Sequence, residues 1–539
     1  MRQRLLSRPW LLEVLLVGIL TAGALALRLY RLSDIPPGFQ GDEGAFGLEA
    51  QKIAHGELLG VWTPVTLGHA TGHLYWTAFL FKLAGSSVFM VRLAMALLGT
   101  FTVPVAYLLF RLLFSARVGF LAAALIAFSF WHLVYSRAGW TIVPAVFLLL
   151  LSLYLFFLGW RRGRWLLFVI GGIFLGFGFY THKNFPFYYA GVWIFLLPRV
   201  HFGASFTERR GTLLFLIASL LVAIPFLVFF FQHQEVFTAR LKIESFFERP
   251  PYQAAHGIWE KATVVGGRIK EVLLYVHNPV PRDHVDGTGG KALLDRVSES
   301  LFWLGFLITV VRIRRPAYQL VLVGLLAGVV PALLVVTGEQ RRLMGAMPFV
   351  MVCIALGIDT GLQILSWSLT EFKNTGIIPF PPWEKGGWRD FYQAVGRGAA
   401  GIALAGFLAF FSFTNITYYF RAWANDSTVK WVYVYDFVTA IDYLKTLDQD
   451  TYVYFYSDRW SYNYETRQFL LPGMKGEDRS KEFGRAVNLE RINSGKVVYI
   501  LMRDYTSLAL KLAHLYPWGN YHEVRDSDGS LIFAAYVLG

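Results

Sequence analysis

The sequence predicts a polytopic α-helical membrane protein of about eleven transmembrane helices, followed by a small extracytoplasmic α/β domain. Three observations carry this. The 539 residues are 55% hydrophobic, 17% aromatic and 16% charged, more apolar than a water-soluble chain of this length. Apolar runs that reach or approach the roughly 20 residues needed to cross a bilayer recur along the first four fifths of the chain. Beyond about residue 420 the pattern changes to short alternating helical and extended segments.

The spans read in order as 9–28, 87–110, 118–136, 140–160, 165–181, 185–199, 212–231, 299–313, 317–337, 343–365 and 399–419, the sixth and eighth being the shortest candidates. The first, "WLLEVLLVGILTAGALALRLY", has no clear small-residue cleavage site after it and is read as an uncleaved helix rather than a signal peptide. Basic clusters at Arg2/Arg4/Arg8, Arg111/Arg117, Arg161/Arg162/Arg164, Arg199/Arg209/Arg210, Arg312/Arg314/Arg315 and Lys373/Lys385/Arg389/Arg397 mark loops retained in the cytoplasm. Their alternation with apolar runs puts the N-terminus inside and the C-terminal segment outside. The integral, multi-pass protein is expected in a bacterial or archaeal plasma membrane. It divides into a transmembrane domain, 1–420, and a soluble domain, 421–539.

Four kinds of segment face outward: the first loop 29–86, the long loop 232–298, short turns near Arg137, Lys183 and Arg341, and the tail. Within the first loop "GHLYWTAFLFKLAG" is too short to span and suits a helix lying at the interface. "IIPFPPWEKGGWRD" reads as a cytoplasmic linker before the last span. The tail holds 14 Lys and Arg against 15 Asp and Glu, a net of −1, so of the chain's net +14 the membrane part carries +15. There it orients helices and meets anionic lipid head groups, and no nucleic-acid partner is implied. Tail segments "YDFVTAIDYLKTL" and "DYTSLALKLAHLY" read as helical, and "TYVYFYS", "KVVYILM" and "SLIFAAYVL" as extended. The single Cys353 cannot form a disulfide within the chain.

The first loop carries the candidate chemistry. In "GFQGDEGAFGLEAQKIAHGE", Asp42 and Glu43 stand side by side soon after the first span. Helical spacing puts Asp42 and Glu49 on one side and turns Glu43 away. Gly41 and Gly44 suit a tight backbone turn where the helix begins. Asp42 is open to two readings, as the N-cap of that helix or as a general base for an acceptor hydroxyl at the membrane surface.

Arg137 in "YSRAG", His182 and Lys183 in "YTHKN", Arg341 and Arg342 in "EQRRL", and Arg92 supply positive charge near outer helix ends. Arginine forks suit a phosphate, although cations at such positions also snorkel to head groups. His69 and His73 are candidates for the acceptor path. Tyr252, Trp259 and Tyr275 in the long loop suit either sugar stacking or packing. Two Asp-x-Asp patterns, Asp448/Asp450 and Asp526/Asp528, lie in turns of the tail and are not read as a metal site. No metal or other cofactor is expected.

The run "IPPGFQGDEGAFGLEAQKIAHGELLGVWTP" resembles the first extracytoplasmic loop of the GT-C class of integral-membrane glycosyltransferases. The nearest group is glycosyltransferase family 39, with its protein O-mannosyltransferases and aminoarabinose transferases. The resemblance extends through "FMVRLAMALLGTFTVPVAYLLFRLLF", "FSFWHLVYSRAGWTIVP", "GFGFYTHKNFPFYY", "PVPRDHVDGTGGKALLD" and "TGEQRRLMGAMPFVMVCIALG", covering about residues 10–365.

It implies a GT-C fold and inverting transfer of a sugar from a polyprenyl-phosphate donor to a hydroxyl on a protein, lipid or glycan. By resemblance Asp42 is the catalytic base with Glu43 as its neighbour, and Arg137, His182, Lys183, Arg341 and Arg342 are donor-phosphate candidates. Glu49, His69 and His73 are candidate acceptor or sugar contacts. Several members of the group carry a further acidic residue between the third and fourth helices. Here that loop reads "SRAGWTIVP", so Glu49 or Asp34 would have to supply the charge, or Arg137 alone would fix the donor. A lipid-linked polysaccharide ligase or polymerase is the alternative, and a transporter a more distant one, because the charges sit at helix ends and not at the bilayer midplane.

Overall fold

The computed structural model describes residues 9–202, 205–283, 286–374, 387–479 and 495–539. Most of the proposed linker 377–390 lies outside them. The chain forms two compact units. One comprises residues up to 30, 59–73 and 95–422; the other comprises 31–58, 74–94 and 423–539.

In the first unit each of the eleven anticipated segments holds a helix: Pro9–Leu29, Val88–Leu113 (which begins in the other unit), Ala116–Phe128 with Phe130–Ser136, Ile142–Arg162, Trp165–Phe177, Phe185–Phe202, Phe206–Gln232, Arg296–Val311, Pro316–Leu334, Met347–Asn374 and Gly387–Thr417. Among the described residues seven helices are long and apolar enough to cross a bilayer, or eight if the bent pair at Phe128–Phe130 counts as one span.

Local chemistry sets several helix ends. The side chains of Ser115, Ser205 and Asp295 accept amide hydrogens from the first turns they precede. Gly163 closes Ile142–Arg162 at φ 63°, a left-handed geometry that favours glycine. The bend of 58° falls at Ser129, whose backbone is extended, and the Phe130 N–H is donated to Asn415 Oδ1 at 3.0 Å. Close helix packing rests on small residues. A Cβ on Gly172 would stand 2.3 Å from the Phe215 carbonyl oxygen, and one on Gly176 2.5 Å from that of Ser219.

The second unit contains a five-stranded sheet, and residues 59–73 of the first unit contain a small hairpin, β1 (Trp62–Thr63) with β2 (His69–Ala70). The large sheet is built from β3 (Tyr452–Tyr456), β4 (Gly476–Asp478), β5 (Val497–Met502), β6 (Asn520–Arg525) and β7 (Leu531–Leu538), in the order β4-β3-β5-β7-β6. β3 is parallel to β4 and β5, whereas β7 is antiparallel to β5 and β6. Every residue of β5 is buried, as suits a central strand covered on both faces. Tyr435–Leu444 packs Phe437, Ile441 and Leu444 on one face, and Leu508–Leu515 packs Leu508 and Leu512 on the other. The two helical and three extended tail segments read from the sequence are all present. Two edge strands, β4 and β6, and the short helices Ser427–Val432 and Glu465–Leu470 are additional.

Candidate active site

The first-loop helix is Gly41–Ala54, and it sits in the second unit. Its N-cap is Gln40, so Asp42 is the second residue inside the helix and not its cap. The capping work falls to Glu43, whose Oε2 accepts the Gln40 N–H at 3.2 Å. Glu43 is also clasped by Arg92, with Nε to Oε1 at 3.0 Å and Nη2 to Oε2 at 3.1 Å, and both side chains are at most 1% exposed. Arg92 spends its remaining donors on the carbonyls of Leu32 (3.1 Å), Ser33 (3.2 Å), Pro36 (3.0 Å) and Gly38 (2.6 Å). The adjacent acids therefore differ in kind: Glu43 is a buried structural anchor, while Asp42 is half-buried. Arg92, read as a possible phosphate contact, instead ties the whole approach to the helix together.

Glu49 is buried and pairs with Lys52 at 2.6 Å. Asp34 is exposed and pairs with Arg31 at 3.1 Å.

Gly41 and Gly44 lie within the helix and make no turn; the turn is made earlier, at Gly38, with φ 81°. Gly41, Gly44 and Gly47 form one face that Glu465–Leu470 and Tyr464 before it approach closely. Cβ atoms on these glycines would stand 2.0 Å from Tyr464 Oη, 2.9 Å from the Thr466 amide nitrogen and 2.5 Å from Phe469 Cε2. Thr466 Oγ1 donates to the Phe39 carbonyl at 3.0 Å, and the Phe39 and Phe469 rings lie 5.2 Å apart.

The first unit holds the cations. Arg341 and Arg342 occupy the short helix Glu339–Arg342 and are both buried. Arg342 pairs with Glu244 at 2.8 Å and donates to Asn184 Oδ1 at 3.2 Å. Arg341 lies over the Trp140 ring at 4.5 Å. His182 accepts the Asn184 N–H on Nδ1 at 3.0 Å. Burial, then the charges of Arg342, Lys183, Arg341 and His69, hold its pKa well below the usual histidine value. His182 is thus a neutral imidazole within a neighbourhood that gathers five residues from three distant stretches of sequence. His69 belongs to that neighbourhood. His73 is buried, and burial lowers its pKa to about 3 against an opposing hydrogen bond to Ala70.

Arg137 has a different environment. Its donors go to the carbonyls of Leu27 and Tyr30 (2.6 Å) and to the Tyr419 hydroxyl (3.1 Å), with the Tyr419 and Phe420 rings against the guanidinium. It closes carbonyls at the end of the first helix that would otherwise lack partners, and this accounts for its position without a ligand.

Sequence reasoning missed the acids of the long loop. Glu244 meets Arg342, and the fully buried Asp286 accepts the Tyr135 hydroxyl at 2.9 Å and that of Thr288 at 2.5 Å. The sequence clue is an Asp followed at once by glycine in "RDHVDGTGG", a turn able to fold a carboxylate inward.

Residues 68–229 match the family model of dolichyl-phosphate-mannose-protein mannosyltransferases. ArnT from Cupriavidus metallidurans superposes on the chain in its apo state with a TM-score of 0.51 at 14% identity, and bound to undecaprenyl phosphate with 0.50 at 15%. Each comparison covers 98% of both chains. The fold is that of a GT-C glycosyltransferase. Residues 68–229 are thus similar to that mannosyltransferase family, and the whole chain shares the fold of ArnT. The apo oligosaccharyltransferase of Archaeoglobus fulgidus aligns with a TM-score of 0.48 at 14% identity, over 97% of this chain and 74% of that one. Comparison with curated proteins gives no significant match.

Proposed function

We propose that this GT-C glycosyltransferase transfers a sugar, with inversion, from a polyprenyl-phosphate donor to a hydroxyl acceptor at the outer membrane face. Asp42 is the general base. It takes the acceptor proton as the acceptor oxygen bonds to the anomeric carbon and the bond from that carbon to the phosphate oxygen breaks. The lipid phosphate leaves with its charge met by Arg341, Arg342 and Lys183, while neutral His182 offers a hydrogen bond. Eleven spans, a cytoplasmic N-terminus and an extracytoplasmic tail complete the reading, and no metal takes part.

The observation that carries it is the division of labour between neighbouring acids. Glu43 is held by Arg92 on both oxygens, which leaves the base role to half-buried Asp42. The donor class draws support from the undecaprenyl phosphate bound to a protein of the same fold.

The test offers purified protein a panel of polyprenyl-phosphate sugars and follows donor consumption with and without a chelator. One donor should be consumed in both conditions, and Asp42→Asn should slow its consumption by about 100-fold or more. Undiminished turnover in that variant would sink the assignment of the base, and restoration by divalent ion after chelation would sink the metal-free chemistry.

A further inference from the structure

The residue that reaches Asp42 from the far end of the sequence is Tyr464. It stands immediately before the helix Glu465–Leu470 with extended backbone, φ −65° and ψ 145°. Its hydroxyl lies 2.0 Å from the point where a Cβ on Gly41 would be, so the glycine is what lets the phenol come in. The oxygen lies against the backbone of Gly41, at a helix start whose first amide hydrogens have no internal partner. The ring is held by Trp460 at 5.0 Å and Phe437 at 6.1 Å between centroids, which fixes the direction from which the hydroxyl arrives.

Burial first, and the negative charge of Asp42 next, push the phenol up to about 12, so it keeps its proton at any working pH. A protonated phenol has a hydrogen to give, and the carboxylate whose charge it feels most is Asp42, the residue that follows Gly41. The other charges around the phenol are Glu465, which follows it, and Arg459, with Glu43 locked to Arg92 in the same first turn as Asp42.

We infer that Tyr464 is a positioning residue for Asp42: the tail delivers a phenol that orients the carboxylate and favours its ionised form. This rests on Asp42 being the base. It gives the soluble part of the chain a duty in transfer, beyond that of an appended domain.

The experiment is kinetic, on the full chain in lipid vesicles with the donor found above. Tyr464→Phe keeps the ring and its packing but removes the hydroxyl. A hydrogen bond to an ionised group is strong enough that kcat should fall about 10- to 100-fold with donor KM unchanged. Losing a donor to the charged form raises a carboxyl pKa. The acid limb of the kcat profile should therefore move to higher pH by about half to one unit.

Gly41→Ala must displace the phenol and should move the same limb in the same direction. Combining it with Tyr464→Phe should add little, because both changes remove one interaction. A pH profile identical to that of the parent in both variants, or a fall in rate with the limb unmoved, would overturn the inference and leave Tyr464 as a helix cap. Asp42→Asn is run alongside. If it slows turnover while Tyr464→Phe has no effect, the inference alone fails; if it turns over normally, the reading of the base fails and the inference with it.

Discussion

Arg92 and Glu43 meet through two parallel contacts of 3.0 and 3.1 Å in a setting from which water is excluded, and the same guanidinium holds four backbone carbonyls of the segment leading to Asp42. Removing one partner of such a pair leaves a buried charge without compensation, at a cost of about 3–5 kcal/mol. Glu43→Gln and Arg92→Ala should lower the thermal midpoint markedly and reduce transfer in proportion to the folded fraction. Arg92→Lys should not rescue, because an ammonium cannot span both carboxylate oxygens and the carbonyls together. A Glu43→Gln protein that melts with the parent but is inactive would make Glu43 a participant in the chemistry.

Arg341 and Arg342 are neighbours in sequence but hold different partners. Arg342 is bound to Glu244 and Asn184, whereas the Arg341 guanidinium lies on the Trp140 ring. Arg341→Ala should raise donor KM by about 10-fold or more, the scale of one charge-assisted contact to phosphate, with thermal stability close to the parent. Arg342→Ala strands Glu244 and should be seen first in the melting temperature. Steady-state kinetics with varied donor, beside melting curves, separates the two. Unaltered donor KM in Arg341→Ala would remove it from the phosphate site.

Buried His73, with its pKa lowered to about 3, makes the fold sensitive to acid. The unfolded chain binds a proton near pH 6.5, where the folded one does not. The stability associated with the neutral ring is therefore complete above about pH 6.5 and is lost as pH falls from there toward about 3. His182, shifted in the same direction, adds to the trend. Melting curves between pH 7.5 and 4.5 should show a steady decline that is shallower in His73→Gln. Equal slopes in parent and variant would show that this imidazole does not control the acid response.

The membrane helices were legible because each is an apolar run closed by arginines or by a turn, and that grammar needs no tertiary information. The strongly hydrophobic tail strands were legible too. The edge strand β6, "NYHEVR", was not, since it is mostly exposed and polar and is defined by its pairing with β7. In the site, helical spacing separated Asp42 from Glu43, but the burial of Glu43 against an arginine could not be read. Glu43 takes its role from Arg92, 49 residues further along. Arg137 and Arg341 carry the same helix-end signature, yet one turns to backbone carbonyls and the other to a tryptophan face. The glycines of the first-loop helix look like a turn until the helix that packs on them is known.

The bond from Thr466 to the Phe39 carbonyl joins points 427 residues apart along the polypeptide. During synthesis the early helix leaves the ribosome with three glycines on one side, a composition that by itself disfavours helix, and it has nothing to lean on until most of the protein has been made. The order of translation thus sets an order of assembly: the early helix can complete its packing only once the late segment that covers its glycine face has been made.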